Sequence, residues 1–405
     1  MGSGKAIHVR AVRRAGFWLY AGHLFAFPAI AIANVFAGLT ALAAPWAAAG
    51  RRPPAAARPL LIALAAYAVL LLLSILASFQ PELSVRAASE LFTLLTLVLA
   101  LYLVRGERDA RRVVDGLLVV AFAVAAWGLL QLASDYGDLD RRIRGPFSHW
   151  MTFAHSLMVC DCLLIGRVVA GPPARGWRRG TQWVALAVIN LAILVSLTRS
   201  VWVALAVAVT LVLAARAPRW LLAYLPAALL VLLLAPAPLL HRIASVVDLS
   251  DVSNYDRLCM IKAGAQMTAE RPLLGIGPEM VPERYPIYRE PTAPRFWVPH
   301  LHNNLLQLAA ERGLPALAAY LAMTVLALAA AARGFRAAGG FEAARTGGAA
   351  GGAAGLHLGA LLALVAFNVG GLFEFNWGDT EVQRLALFAL ALPFCAGAPE
   401  DAAGA

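Results

Sequence analysis

Apolar runs of about 17–25 residues, the length of a membrane-spanning helix, recur along almost the whole chain and restrict its fold more than any other feature. Twelve runs are found, near residues 17–32, 35–49, 59–78, 87–104, 113–133, 151–170, 181–197, 200–215, 220–236, 314–332, 353–373 and 382–397. Hydrophobic residues make up 61% and charged residues 14% of the 405 residues. In soluble domains about 45–50% of the residues are apolar and about 25% are charged. The sequence therefore predicts an all-α polytopic membrane protein with about 12 transmembrane helices.

Basic residues between the runs indicate the orientation in the membrane. With twelve crossings, one side receives 20 of the 34 lysines and arginines and only five acids, in loops such as 51–58, 105–112 and 167–180. The positive-inside rule places that side, and both termini, in the cytoplasm. Runs 17–32 and 35–49 could form one helix, but eleven crossings would put the later basic loops outside. Topology thus explains the formal charge of +11, and no nucleic-acid partner is expected.

One long segment between the runs, residues 237–301, falls on the outer side. We therefore divide the chain into an N-terminal bundle of about nine spans (1–236), an outer loop with a candidate catalytic segment (237–313) and about three C-terminal spans (314–405). Residues 254–270 favour an amphipathic helix that Asn254 caps and Arg271-Pro272 ends. Its inner stripe is expected at Leu258, Ile261, Ala265 and Met267 or Thr268.

The segment HLHNNLLQLAAERG, residues 300–313, combines histidines with a helix start. If a helix begins near Asn303, His302 lies at its N-terminus, where free N–H groups attract anions. A neutral histidine at the membrane boundary can accept a proton from a hydroxyl near neutral pH. A helix cap flanked by interfacial histidines explains the segment equally well, and the choice between His300 and His302 stays open.

The order His302-Asn303, nine further residues and Gly313 resembles the signature of the O-antigen ligase and polymerase family. Ala316 stands where that family has Gly, Thr or Tyr. Four more segments resemble family segments in the same order along the chain and on the same outer side: residues 142–155, 196–202, 256–280 and 372–382.

The resemblance implies a GT-C-type glycosyltransferase in the bacterial inner membrane, with its active site on the periplasmic side and no cofactor. Such enzymes transfer a glycan from an undecaprenyl diphosphate-linked donor to a hydroxyl group. For a ligase the acceptor is lipid A–core; for a polymerase it is another lipid-linked repeat. The chain length and the single long outer loop favour the ligase. A lipid-linked glycan transporter or flippase is the alternative from another class, although Asp161 is the only deep acid that could line its path.

This chemistry requires positive charge at the leaving diphosphate, which guanidinium groups supply in bidentate geometry. By resemblance, His302 is expected to act as the general base, and Arg199 and Arg257 to hold the diphosphate. Further substrate contacts are expected from Arg86, Arg142, Arg144, His300, Asn303 and Glu374. No metal is expected, because the one Asp-x-Asp pair, Asp138 and Asp140, is a weak match in a polar loop.

Overall fold

The computed structural model describes residues 2–134, 136–138, 141–172, 176–222, 252–343 and 349–398, and in these ranges helices joined by turns and loops are present and no strand is found. Its helices are α1 (Gly2–Phe25), α2 (Ile30–Ala47), α3 (Arg58–Leu76), α4 (Pro81–Ser84), α5 (Ser89–Leu103), α6 (Gly106–Leu130), α7 (Trp150–Ala170), α8 (Trp177–Val195), α9 (Arg199–Arg216), α10 (Val252–Glu270), α11 (Val281–Tyr288), α12 (Asn304–Ala337), α13 (Ala349–Gly370) and α14 (Thr380–Ala396).

Eight helical segments in the described ranges are long and apolar enough to cross a membrane, which confirms a polytopic α-helical protein. They are Ile30–Ala47, Ala55–Leu76, Pro81–Leu103, Gly106–Ser134, Trp150–Ala170, Arg199–Arg216, Asn304–Ala337 and Gly351–Gly370. Three further expected spans fall on α1 and α8, which begin with basic sequence, and on α14, which has 17 residues. The span expected at 220–236 lies outside the described residues from 223 onwards. The count of twelve and the three-part division remain predictions.

The first two apolar runs form two helices, as their loop charges require. The break lies at residues 26–29, between α1 and α2, and not between 32 and 35 as expected. Pro28 lies in this break, and a proline both lacks an N–H donor and disfavours helical backbone in the residue before it.

Helices α7, α13 and α14 form the centre of the bundle. Glycines allow α7 and α13 to touch, because a Cβ added at Gly166 would lie 2.2 Å from the backbone nitrogen of Gly359. Residues 381–396 of α14 are all buried. Helix α7 begins at Trp150, beside the candidate site described below, and ends at Ala170 at the opposite end of the bundle.

Helix α12 bends sharply at Gly313, which has φ 83° and ψ 167°. Pro315 follows two residues later and has no N–H to donate to the Glu311 carbonyl. The freed carbonyls of Ala310 and Glu311 instead accept the N–H groups of Ile276 and Gly277, at 2.9 and 3.0 Å. The bend therefore provides the docking point for the segment PLLGIG, residues 272–277.

Helix α10 ends at Glu270, as predicted, but it already includes Val252, so Asn254 lies inside it and does not cap it. The predicted inner stripe is also wrong, apart from Met267, which is buried. Leu258 and Ile261 are each 47% exposed. The helix packs instead through Cys259, Met260, Ala263, Gly264 and Met267. Part of this face joins a small apolar core with residues of 276–301, which leaves Leu258 and Ile261 free to line a cavity.

We expect Gly313→Ala to destabilise the protein. A side chain at this φ is strained by about 1–3 kcal/mol, and the added Cβ would lie 2.2 Å from the Leu273 carbonyl oxygen. The melting temperature of the purified protein in detergent should fall by several degrees. Gly38→Ala in α2 is the matched control, since a Cβ there meets nothing within 4 Å. Equal melting temperatures for the two variants would contradict this account of the bend.

Candidate active site

The chain enters α12 through a capped turn that contains His302. The Oδ1 atom of Asn303 accepts the N–H of Leu306 at 2.9 Å, and its Nδ2 donates to the Leu372 carbonyl at 2.9 Å. His302 has φ 49°, a left-handed conformation in which histidine is enriched. The predicted helix start near Asn303 is confirmed.

The loop between α13 and α14 is hydrogen-bonded to the first residue of α12. The N–H of Asn304 donates to the Gly371 carbonyl at 2.7 Å. Its side-chain amide donates to Asn376 Oδ1 at 2.6 Å and accepts the Trp377 N–H at 3.1 Å. Asn304 is 1% exposed, so these bonds form away from competing solvent. They fix residues 371–377 beside the turn that contains His302.

Glu374, in this loop, pairs with His302. Its Oε1 and Oε2 atoms both lie 3.0 Å from His302 Nδ1. An ionised carboxylate only accepts hydrogen bonds, so Nδ1 bears the imidazole proton in this arrangement. In the neutral ring, Nε2 is then the nitrogen that can take up another proton. A carboxylate at one ring nitrogen fixes the tautomer and makes the other nitrogen more basic.

Burial and hydrogen bonding act in opposite directions on this cluster. Burial opposes ionisation of Glu374, but the hydrogen bond from His302 and the nearby histidines lower the pKa of its carboxyl below the usual value. Burial also lowers the pKa of His300 to about 4, which makes this ring neutral at pH 7. The Nδ1 atom of His300 accepts the backbone N–H of His302 at 3.4 Å and lies 3.5 Å from Glu374 Oε1.

A cavity of about 340 Å³, the Arg199 cavity, opens on one side of His302. Three arginines, Arg142, Arg199 and Arg257, line it together with His302, and no acid is among its described lining residues. Much of the remaining wall is apolar and is formed by Leu197, Val203, Leu258, Ile261, Leu301, Leu372 and Phe373. The cavity thus combines concentrated positive charge with a hydrophobic surface.

Arg199 and Arg257 meet at one hydroxyl group. Arg199 Nη2 donates to Ser253 Oγ at 3.3 Å, and Arg257 Nη1 donates to the same atom at 3.4 Å. Arg199 is the first residue of α9 and is 8% exposed, while Arg257 lies one turn beyond Ser253 in α10. Two guanidinium groups from different helices therefore converge beside His302.

A second cavity of about 700 Å³, the Glu374 cavity, also reaches His302. Its lining is mostly polar and includes the acids Glu90, Glu279, Glu311, Glu374 and Asp379 and the bases Arg86, His149, Arg295, His300 and Arg312. His302 and Met151 line both cavities. His302 is therefore the ionisable side chain that the two spaces share.

A buried hydrogen-bonded network lies at the Glu374 cavity, around Glu90 of α5. Arg312 Nη2 contacts Glu90 Oε2 at 2.7 Å. Trp377 Nε1 and Tyr67 Oη donate to Glu90 Oε1 at 2.9 and 2.8 Å, and Gln383 Nε2 does so at 3.0 Å. The network joins α3, α5, α12 and α14, so it holds the cavity wall in one arrangement.

The structure places five of the six expected substrate-binding residues at the two cavities. Arg86, His300 and Glu374 line the Glu374 cavity, and Arg142 lines the Arg199 cavity. Arg144 lines neither cavity. Its Nη1 donates to the Ser148 carbonyl at 2.9 Å, and its N–H donates to the side chain of Gln131. Asn303 lines the Arg199 cavity, but its amide is engaged in the helix cap and the bond to Leu372.

Asp379 and Arg295, which both line the Glu374 cavity, were not assigned to the site from the sequence. Asp379 precedes α14 and accepts the Thr152 hydroxyl at 2.9 Å. Burial raises the pKa of Asp379 to about 7. Arg295 lines the Glu374 cavity and pairs with Asp256. The position of Asp379 directly before an apolar run, in the segment that contains Glu374, was the available signal.

One group of side chains in the described residues has donor atoms close enough to hold a metal ion. These are His300, His302 and Glu374, whose potential ligand atoms all lie within 4.8 Å of one another. Two histidines and a carboxylate are a common zinc ligand set. The hydrogen bonds from His302 to Glu374 account for the same proximity without an ion. Asp138 accepts the Arg141 N–H at 2.6 Å, and Asp140 lies outside the described residues.

The family model described as O-antigen ligase matches residues 184–321 of this chain. Over these residues the chain is similar to the O-antigen ligase family. The matched region contains Arg199, Arg257, His300 and His302, and it ends in α12 beyond the bend at Gly313. A search of curated proteins gave no match. Glu374 lies outside the matched region, so its contact with His302 comes from the structure alone.

We predict that Asp379 makes stability depend on pH. Its folded-state pKa, about 7, is above its usual value of 3.8, so this group favours folding at low pH and loses that contribution as the pH rises through about 7. The melting temperatures of wild type and Asp379→Asn should differ least near pH 4 and diverge as the pH rises towards 7. At pH 8 the Asn variant should be the more stable of the two. A difference in melting temperature that stays constant between pH 5 and pH 8 would contradict a raised pKa.

Proposed function

We propose that the protein is an O-antigen ligase of the bacterial inner membrane. It transfers a polysaccharide from undecaprenyl diphosphate to a sugar hydroxyl of lipid A–core on the periplasmic face. The observation that carries this proposal is the position of His302, paired with Glu374, between a cavity with converging arginines and a larger polar cavity. The family match supports the reaction class.

In this proposal the Arg199 cavity receives the donor. Arg199 and Arg257, which share the Ser253 hydroxyl, bind the diphosphate and stabilise its charge as it leaves. The exposed side chains of Leu258, Ile261 and Phe373 provide an apolar surface for the polyprenyl chain. Positive charge and apolar surface are what a diphosphate joined to a hydrocarbon requires.

The acceptor sugar enters the Glu374 cavity, where its hydroxyl approaches His302. The Nε2 atom of His302 takes the hydroxyl proton while the oxygen attacks the anomeric carbon of the donor. The bond from that carbon to the diphosphate oxygen breaks, and the configuration of the carbon is inverted. Glu374 holds the ring through Nδ1 and stabilises the imidazolium that forms.

Loss of His302 should abolish most of the activity. We expect His302→Ala to lower the transfer rate by about 10²- to 10⁴-fold, and Glu374→Gln to lower it by about 10- to 100-fold because the ring loses its fixed tautomer. The measurement is transfer to lipid A–core by purified protein. Glu82→Gln, an exposed acid in α4, is the control and should leave the rate unchanged.

The same variants in a ligase-null host distinguish the alternatives. Wild type should restore the O-antigen ladder on lipopolysaccharide gels, and His302→Ala at matched membrane level should leave bare core. If wild type fails there but restores a ladder in a polymerase-null host, the protein is the polymerase. Export of lipid-linked glycan without any new glycosidic bond would identify a transporter. A full ladder with His302→Ala would exclude this general base and leave His300 as the candidate.

We predict that transfer does not require a metal ion. The donor already supplies the energy, and the arginines supply the positive charge for the leaving group. Activity should therefore persist in EDTA and stay unchanged on addition of Zn²⁺, Mg²⁺ or Mn²⁺ after chelation. Loss of activity in EDTA with recovery on metal addition would instead make His300, His302 and Glu374 a metal site.

A further inference from the structure

A third cavity, the Arg167 cavity of about 270 Å³, lies at the other end of the bundle from His302. It is enclosed by the start of α6, the end of α7, the start of α8 and the start of α13. Thr152 and Arg167 are both on α7, and their separation of 15 residues corresponds to about 22 Å along the helix. The positive-inside rule places this end in the cytoplasm.

Three arginines line the Arg167 cavity, and two acids offset them. Arg111 pairs with Glu107 along α6, and Arg167 pairs with Asp115 across the α6–α7 contact. Arg178, in the first turn of α8, lies over the ring of Trp177 and has no carboxylate within ion-pair distance among the described residues. The cavity therefore has an excess of positive charge, to which the N-terminus of α8 adds.

An apolar groove of about 850 Å³ continues from this cavity between α6, α7 and α8. Arg167, Arg178 and Gln182 line both spaces. The hydrophobic groove wall includes Leu118, Val119, Phe122, Leu164 and Val184. Val119 and Val184 are 70% and 53% exposed, so they form an open apolar surface.

We propose that the Arg167 cavity and the apolar groove together bind an anionic phospholipid. The headgroup phosphate contacts Arg167 and Arg178, and one acyl chain lies along Val119, Phe122 and Val184. Basic pockets between transmembrane helices on the cytoplasmic side are suited to anionic lipid headgroups. A soluble phosphate would use the arginines but would leave the adjoining groove without an occupant. This inference does not rest on the proposed transferase activity.

The test is native mass spectrometry of the full-length protein in neutral detergent, titrated with phosphatidylglycerol or phosphatidylcholine of matched chains. We expect phosphatidylglycerol to bind more tightly. Arg178→Gln should weaken phosphatidylglycerol binding about fivefold, which is the effect of one cationic contact near the surface. Arg219→Gln is the matched control, since Arg219 is exposed at the same end and lines neither space. The Arg219→Gln variant should bind phosphatidylglycerol with the same affinity as wild type.

Two further arms make the outcome decisive. The double variant Arg167→Gln, Asp115→Asn removes a lining charge without leaving its partner unpaired, and should also reduce the preference for phosphatidylglycerol. Ala185→Trp fills the groove and should weaken lipid binding while leaving glycerol phosphate binding unchanged. Equal affinity for both lipids, or retention of the preference in both arginine variants, would overturn the proposal. Tight glycerol phosphate binding with lipid binding unaffected by Ala185→Trp would indicate a soluble-anion site and overturn it as well.

Discussion

The candidate site depends on the hydrogen bonds that join the start of α12 to the loop before α14. Asn304 makes three of them, to Gly371, Asn376 and Trp377, and all are shielded from water. They bring a carboxylate to a histidine that lies 72 positions away in sequence. Buried polar groups are costly unless every partner is present. The arrangement around Glu374 is therefore specified by the surrounding backbone, and the His302–Glu374 pair follows from it.

The bend in α12 has a similar effect on the arginines. Gly313 and Pro315 interrupt the helix, and the segment 272–277 occupies the carbonyls that become available. That segment directly follows α10, so its docking also limits where α10 can lie. Arg257 projects from α10 to the same hydroxyl as Arg199 of α9. A glycine at the start of a predicted span thus helps to position a side chain in the Arg199 cavity, although it contacts neither cavity itself.

The sequence was informative where a local pattern determines the structure. Apolar runs located most of the helices, and the Asn303 cap located the start of α12 next to His302. The sequence was less informative where contacts between distant segments determine the structure. Glu374 was expected to contact substrate, but its partner is His302, which only the folding of the α13–α14 loop reveals. Leu258 and Ile261 have the spacing of a buried helical stripe. Helix α10 nevertheless buries a neighbouring face, because the partner surface at 276–301 determines which face packs. Arg144 was expected to contact substrate, but its hydrogen bonds go to Gln131 and Ser148.

The distribution of charge argues for separate donor and acceptor sides in the proposed reaction. Five acids and three arginines line the Glu374 cavity, so its acids are in excess, whereas the Arg199 cavity has three arginines and no described acid. A diphosphate would be repelled by carboxylates such as Glu374 in the first of these spaces and attracted by the arginines in the second. A neutral sugar hydroxyl has no such penalty and can hydrogen-bond to carboxylates. His302 lies where both spaces meet, so the base can receive a proton from one side while the leaving group departs on the other.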